Sequence, residues 1–95
     1  MSAYLIAEIT VLDPDGYEEY RAIVGASLAN YGAKFLIRGG EIENIEGGWA
    51  PQRLVMCEFP DMDTIHKWYA SEEYQKAKKI RKDTAIFNIV AVTGI

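Results

Sequence analysis

The 95-residue chain contains one cysteine, Cys57, and one histidine, His66, and these two scarcities exclude more chemistry than any motif supports. A single cysteine forbids an internal disulfide and a cysteine-rich metal site. Between Met56 and Glu58 it reads as a small packed hydrophobe. With one histidine, a serine–histidine–acid triad would have to be built around His66, and no nucleophile-elbow spacing lies nearby. Gly39-Gly40 and Gly47-Gly48 lack the lysine and following helix of a phosphate-cradling loop. A metal would have to rest on carboxylates such as Glu8 and Glu58, which is weak ground, so neither metal nor cofactor is expected. No apolar run approaches the ~20 residues of a membrane span, and there is no charged-then-apolar leader. The expectation is a cytoplasmic protein with no membrane partner. A formal charge of −4 argues against nucleic acid, whose affinity comes largely from neutralising phosphates.

What is present is a set of strand-like segments with two unequal faces. Successive strand side chains point to opposite sides, so odd and even positions separate them. The odd set is cleanly apolar: Ala3, Leu5, Ala7, Ile9 and Val11; Ala33, Phe35 and Ile37; Val55, Cys57 and Phe59; Ala85, Phe87, Ile89 and Ala91. The even set is mixed, with Tyr4, Ile6, Glu8 and Thr10, then Leu36 and Arg38, Leu54, Met56 and Glu58, and Ile86, Asn88, Val90 and Val92. The clean side suits helices. The mixed side carries too much apolar area to stay wet, and its charges must be paired or serve a ligand.

Helical segments separate these strands. Asp13-Pro14-Asp15 supplies a cap, a first-turn proline and a first-turn acid, and an apolar stripe from Tyr17 runs to about Tyr31 before Gly32. Gly25 within it suggests close packing on the sheet. Met62, Ile65, His66 and Tyr69 form a second stripe. Ser71 caps a third stretch that begins with Glu72 and Glu73 and ends among Lys76, Lys78, Lys79, Arg81 and Lys82, the charge order that helix ends favour. Segment 41–46 could extend a strand. The order strand, helix, strand, strand, helix, strand predicts one α+β domain over residues 1–95: a ferredoxin-like split βαβ, with a four-stranded antiparallel sheet and its helices on one face. A domain this small buries only about two thirds of its unfolded surface, so self-association through the open sheet face, as a homodimer, is expected.

Two regions could carry chemistry. Without a bulge, Glu8, Arg38, Glu58 and Asn88 share the mixed face. They would form either a polar floor for an anionic or hydroxylated ligand, held bidentately by Arg38, or ion pairs that set how two subunits dock. The segment from Ile65 to Tyr74 holds His66, the side chain whose ordinary pKa suits a general base, although a half-buried helix histidine has the same pattern. Trp68, Tyr69 and Tyr74 would wall in a flat organic molecule or cover the rim of the core.

The ordered set Arg38-Gly39-Gly40, Glu46-Gly47, Pro51 with Arg53, Glu58-Phe59-Pro60, Trp68-Tyr69 with Ser71, Glu73-Tyr74-Gln75 and Arg81 resembles the domain-of-unknown-function family 1330. The chain departs from that family at Gly32-Ala33, where paired glycines are usual, and at Ser71-Glu72-Glu73-Tyr74, where Ser-Pro-Glu-Tyr is common. The resemblance implies the dimeric α/β barrel superfamily, in which two ferredoxin-like sheets pack face to face. It brings no established activity. It marks Arg38, Arg53, Glu58, Trp68, Tyr69, Tyr74 and Arg81 as pocket residues. The leading expectation is a homodimer that binds a small organic molecule in a helix–sheet cleft or in the barrel. The alternative is a cofactor-free enzyme of monooxygenase, isomerase or degradative type, with His66 or Glu58 moving protons. A third reading is a purely structural interaction module.

Overall fold

The computed structural model describes all residues, 1–95. Its elements are β1 (Ala3–Val11), α1 (Pro14–Asn30), β2 (Lys34–Arg38), β3 (Arg53–Phe59), α2 (Met62–Ala70), α3 (Glu72–Ile80) and β4 (Ala85–Thr93). Each helix starts where a short polar side chain meets orphan amides. Asp13 accepts from the Gly16 amide and Pro14 opens α1, while Asp61 caps α2 through the Thr64 amide. Gly32 follows α1 at φ 72°, the left-handed conformation that glycine adopts without a Cβ penalty. A Cβ on Gly25 would meet nothing within 4 Å, so close packing on the sheet is not what places glycine there. Segment 41–46 forms no strand and belongs to an irregular connection between β2 and β3. No helix is long and apolar enough to cross a membrane.

Ser71 joins α2 to α3. Its hydroxyl donates to the Trp68 carbonyl at 2.6 Å and accepts from the Tyr74 amide at 3.2 Å. Ser71→Ala removes both bonds at once, and the expected cost is about 1 kcal/mol of unfolding free energy, read as a shift in the urea midpoint at unchanged m. An unmoved midpoint would show that water replaces the cap at no loss.

The strands order as β2-β3-β1-β4, every neighbouring pair antiparallel. The helices lie on the side where Leu5, Ala7, Ile9, Cys57 and Phe59 are buried, and Tyr17, Tyr20, Leu28, Ile65, Trp68, Tyr74 and Ala77 complete that core. The four-stranded ferredoxin-like sheet with helices on one face is therefore as expected. The barrel is not. β2 and β4 sit at opposite edges of the sheet with no pairing between them, and the molecule is a two-layer slab of 34 × 32 × 16 Å. Closing a sheet requires its two edges to bond, and even the small barrels take about eight strands. Four strands leave this sheet open.

The open face has one apolar row that crosses all four strands: Ile37 opposite Met56, Met56 opposite Ile6, and Ile6 opposite Val90. Polar groups flank it and satisfy one another. Glu8 accepts from the Asn88 amide at 3.2 Å and from the Trp49 indole at 2.8 Å, and Glu58 accepts from the Tyr4 hydroxyl at 3.3 Å. Arg38 is missing from this face. The β2–β3 register shifts between Phe35 and Ile37, leaving Leu36 as a bulge, so Ile37 pairs with Met56 and Arg38 with Val55. An extra residue on one strand shifts every later side chain to the other side. The expected grouping of Glu8, Arg38, Glu58 and Asn88 is thus reduced to three, and Arg38 points toward the helices.

Candidate functional site

The bulge delivers Arg38 to a cleft between α1 and the sheet. Leu5, Ala7, Ile9, Val55 and Cys57 floor it, Tyr17, Tyr20, Val24 and Leu28 of α1 roof it, and Trp68, Phe87 and Ile89 wall it. Thirteen of the sixteen lining residues are hydrophobic, and the other three are all arginines: Arg21, Arg38 and Arg53. The cavity volume is about 60 Å³, several times the ~10–15 Å³ that one water occupies. No carboxylate lines it.

Each arginine is placed by a different device. Arg21 projects from α1 and pairs with Glu18 at 2.7 Å, one turn away. Arg38 ends β2 and stacks over the Phe35 ring, 4.6 Å from its centroid. Arg53 starts β3 opposite Ile9, with its guanidinium 5.8 Å from the Tyr17 ring centroid. Beside it Gly39 adopts φ 73°, and a Cβ there would overlap the Arg53 guanidinium. The glycine backbone is therefore the seat on which Arg53 rests, and the Gly39 amide is fixed by a 2.9 Å bond to the Leu54 carbonyl. The Arg53 Nε is buried and has no hydrogen-bond partner within the protein. Cys57 shares the floor. Burial pushes its thiol up to about 11, against a smaller opposing pull from the Arg38 guanidinium, so it is a neutral thiol rather than a nucleophile at neutral pH.

Behind the cleft wall lies a second cationic centre. The Arg81 guanidinium stacks 3.8 Å from the Phe87 centroid, with the Tyr20 and Tyr74 rings at 5.6 and 5.7 Å. Burial raises the pKa of both phenols; the neighbouring Tyr74 adds to the effect on Tyr20, and Arg81 opposes it in each case. Both stay protonated. The two hydroxyls are near enough to influence each other but form no hydrogen bond of good geometry, and the Tyr74 hydroxyl and Arg81 Nη1 are buried without partners.

The sequence-derived candidates therefore divide. Arg38, Arg53 and Trp68 meet in the cleft. Tyr74 and Arg81 cluster behind Tyr20, and Tyr69 packs 5.2 Å from Tyr74 while accepting a bond from Lys78. Glu58 lies on the opposite side of the sheet, held by Tyr4. His66 is exposed on α2, whose buried residues are Ile65 and Trp68. Tyr17, Tyr20 and Arg21 are not among the candidates the sequence offers, and Gly39 enters there only as part of the Arg38-Gly39-Gly40 turn. The tyrosines follow the apolar helix stripe and so read as core, and only the fold shows Gly39 beneath Arg53. No group of three or more His, Cys, Asp or Glu side chains comes together in a way that could hold a metal.

This strand order, with helices on one face and a cleft beneath them, defines a ferredoxin-like α+β protein. The chain belongs to the family described as Domain of unknown function (DUF1330), whose profile matches residues 2–95. It is similar to a protein of unknown function from Rhodopseudomonas palustris, at 14% identity over 99% of this chain and 82% of that one, with a TM-score of 0.78. A dimeric ferredoxin-like protein of unknown function from Jannaschia sp. CCS1 is 13% identical, covered over 99% and 100% of the two chains, with a TM-score of 0.78. SnoaB, a cofactor-independent oxygenase from Streptomyces nogalater, is 13% identical over 99% of this chain and 93% of that one, with a TM-score of 0.68. At such identities the likeness is one of fold. No protein with a curated description matches the sequence.

Proposed function

We propose that this protein is a cofactor-free enzyme whose substrate is a small, flat organic molecule bound in the cleft between α1 and the sheet. The observation that carries this reading is the lining itself, apolar everywhere except at three arginines. An apolar pocket with a few convergent polar groups is where small ligands bind. Guanidinium groups in such a site favour the anion of an enol or phenol over its neutral form. Such an anion, its proton released to water, can give one electron to dioxygen directly; the substrate radical and superoxide then join as a carbon–oxygen bond, and the resulting peroxide anion takes a proton from water. The cofactor-independent oxygenase of similar fold supports oxygenation over the other cofactor-free reactions. Arg38 and Arg53 hold the anion, and Trp68 and Tyr20 bound its flat body. His66 and Glu58 lie outside the cleft, so a reaction confined there proceeds without them. Oxygen uptake with a panel of electron-rich phenols and enolisable aromatic ketones is the test. At least one compound is expected to be oxidised, with turnover kept in His66→Gln and Glu58→Gln and lost in Arg38→Ala/Arg53→Ala. If no compound is consumed and none raises the melting temperature, the cleft is not a substrate site.

The protein works as a homodimer joined through the open sheet face. The Ile37–Met56–Ile6–Val90 row and the exposed Ile86 and Val92 give that face a continuous apolar band. Its carboxylates, Glu8 and Glu58, already accept hydrogen bonds from Trp49, Asn88 and Tyr4, which lowers the cost of covering them. The broad dimensions of the slab, 34 × 32 Å, accommodate the ~800 Å² per partner of a standard interface. Relatives of the same fold are described as dimeric. Met56→Lys, at the middle of the row, is expected to convert a dimer into a monomer in sedimentation velocity. A wild-type protein that sediments as a monomer at micromolar concentration would defeat this assembly.

A further inference from the structure

Arg38 and Arg53 occupy one corner of the cleft. Arg38 pairs with Val55 and Arg53 with Ile9, which puts both on the helix side of adjacent strands. Arg38 is exposed and Arg53 half-buried; two like charges on neighbouring strands repel each other, and an acid between them is the common remedy. None is present. The only ion pair in the molecule is Arg21 with Glu18, and the cleft lining contains no aspartate or glutamate. This is a chain with fourteen acidic residues against ten basic ones, so the omission is local rather than a shortage of carboxylates. The buried, unpartnered Nε of Arg53 is the donor through which guanidinium commonly forms one arm of its fork with a planar oxyanion. Gly39 keeps that guanidinium seated by offering no Cβ.

From these observations we infer that the cleft takes an organic monoanion, with a flat apolar body between α1 and the sheet and a carboxylate, or an equally planar oxyanion, held between Arg38 and Arg53. This rests on the reading of the cleft as a ligand site and narrows it to a charge type. The missing acid is then supplied by the ligand. The neutral thiol of Cys57 and the protonated Tyr20 leave the cleft floor and roof free of negative charge, which would otherwise oppose such a ligand.

A matched pair of probes, benzoate and benzamide, tests the charge while keeping shape nearly constant. Binding is followed by two-dimensional NMR of the full chain, including the arginine Nε–H signals. Benzoate is expected to shift the Arg53 Nε–H signal and to bind at least about tenfold more tightly than benzamide, the worth of one charge-assisted hydrogen bond. Arg53→Lys, which keeps the charge but loses the fork, is expected to bind benzoate about tenfold more weakly, and Lys79→Ala, outside the cleft, within about twofold of wild type. Equal affinity for both probes at the cleft would overturn the monoanion assignment and leave the ligand site standing. No shift of any cleft residue by either probe would overturn both. Because the comparison of probes is made on the wild-type protein, it decides the matter even if an arginine variant fails to fold.

Discussion

Trp68→Ala is expected to lower the unfolding free energy by about 3–5 kcal/mol, the range for deleting a large buried aromatic. Trp68 is 2% exposed and ties three parts of the fold together. Its ring lies 4.2 Å from that of Tyr74 on α3 and 5.8 Å from that of Phe59 on β3. Its indole N–H donates to the Ser27 hydroxyl at 3.1 Å, which in turn donates to the Val24 carbonyl at 2.8 Å. Truncation leaves a cavity under all three helices and removes the partner of a hydroxyl that is itself 1% exposed. Domains of this kind have total stabilities of about 5–15 kcal/mol, so the variant sits near the edge of unfolding at ambient temperature. Trp68→Phe keeps most of the ring and loses the hydrogen bond, and about 1–2 kcal/mol is expected. Urea melts of both variants separate the packing from the polar contribution. A loss below about 1 kcal/mol for the alanine variant would mean the helices collapse into the vacated space.

The second large effect is expected at Gly39. Alanine there must adopt a positive φ, at a cost of about 1–2 kcal/mol for an L-residue, and its methyl group would occupy the space of the Arg53 guanidinium. With Arg53 as one jaw of the proposed anion clamp, Gly39→Ala is expected to weaken benzoate binding about tenfold or more, beyond its effect on stability. Gly40→Ala is the control. A Cβ at Gly40 meets nothing within 4 Å, and a change within about 0.5 kcal/mol is expected. Differential scanning calorimetry with and without benzoate reads both quantities. If Gly39→Ala binds benzoate as wild type does, the guanidinium does not need its glycine seat.

Alternation was a sufficient guide where each strand kept a single register. The odd positions of β1, β3 and β4 all face the helices, and Asp13-Pro14 and Ser71 announced two helix starts through the chemistry of orphan amides. The guide failed at β2 for a definable reason. Phe35, Leu36 and Ile37 are all large and apolar, so either face accepts any of them and nothing local marks which residue is left unpaired. The shift is visible only in the pairing of β2 with Val55–Glu58 of β3, a contact between separate segments rather than a local pattern. The cleft was hidden for the same reason. Arg38 was assigned to the wrong face, and Arg53 needed Gly39 beneath it and Tyr17 above it, contacts between segments distant along the chain. On the mixed face the apolar character is legible in the sequence, but the charge pairing is not: Arg38 lies on the other side, and the carboxylates there take neutral partners, one of them the loop residue Trp49.

The supernumerary Leu36 also shows where this architecture can absorb a change in length. β2 borders only one neighbour, so one extra residue there costs a single unmatched position and a slight bend. The same insertion in β1, laced to β3 and β4 on its two flanks, would exchange Leu5, Ala7 and Ile9 with Tyr4, Ile6 and Glu8 against one partner or the other. The interior would then receive a carboxylate in place of a methyl group. Growth and loss of residues are therefore affordable at the margin of the sheet and ruinous at its centre.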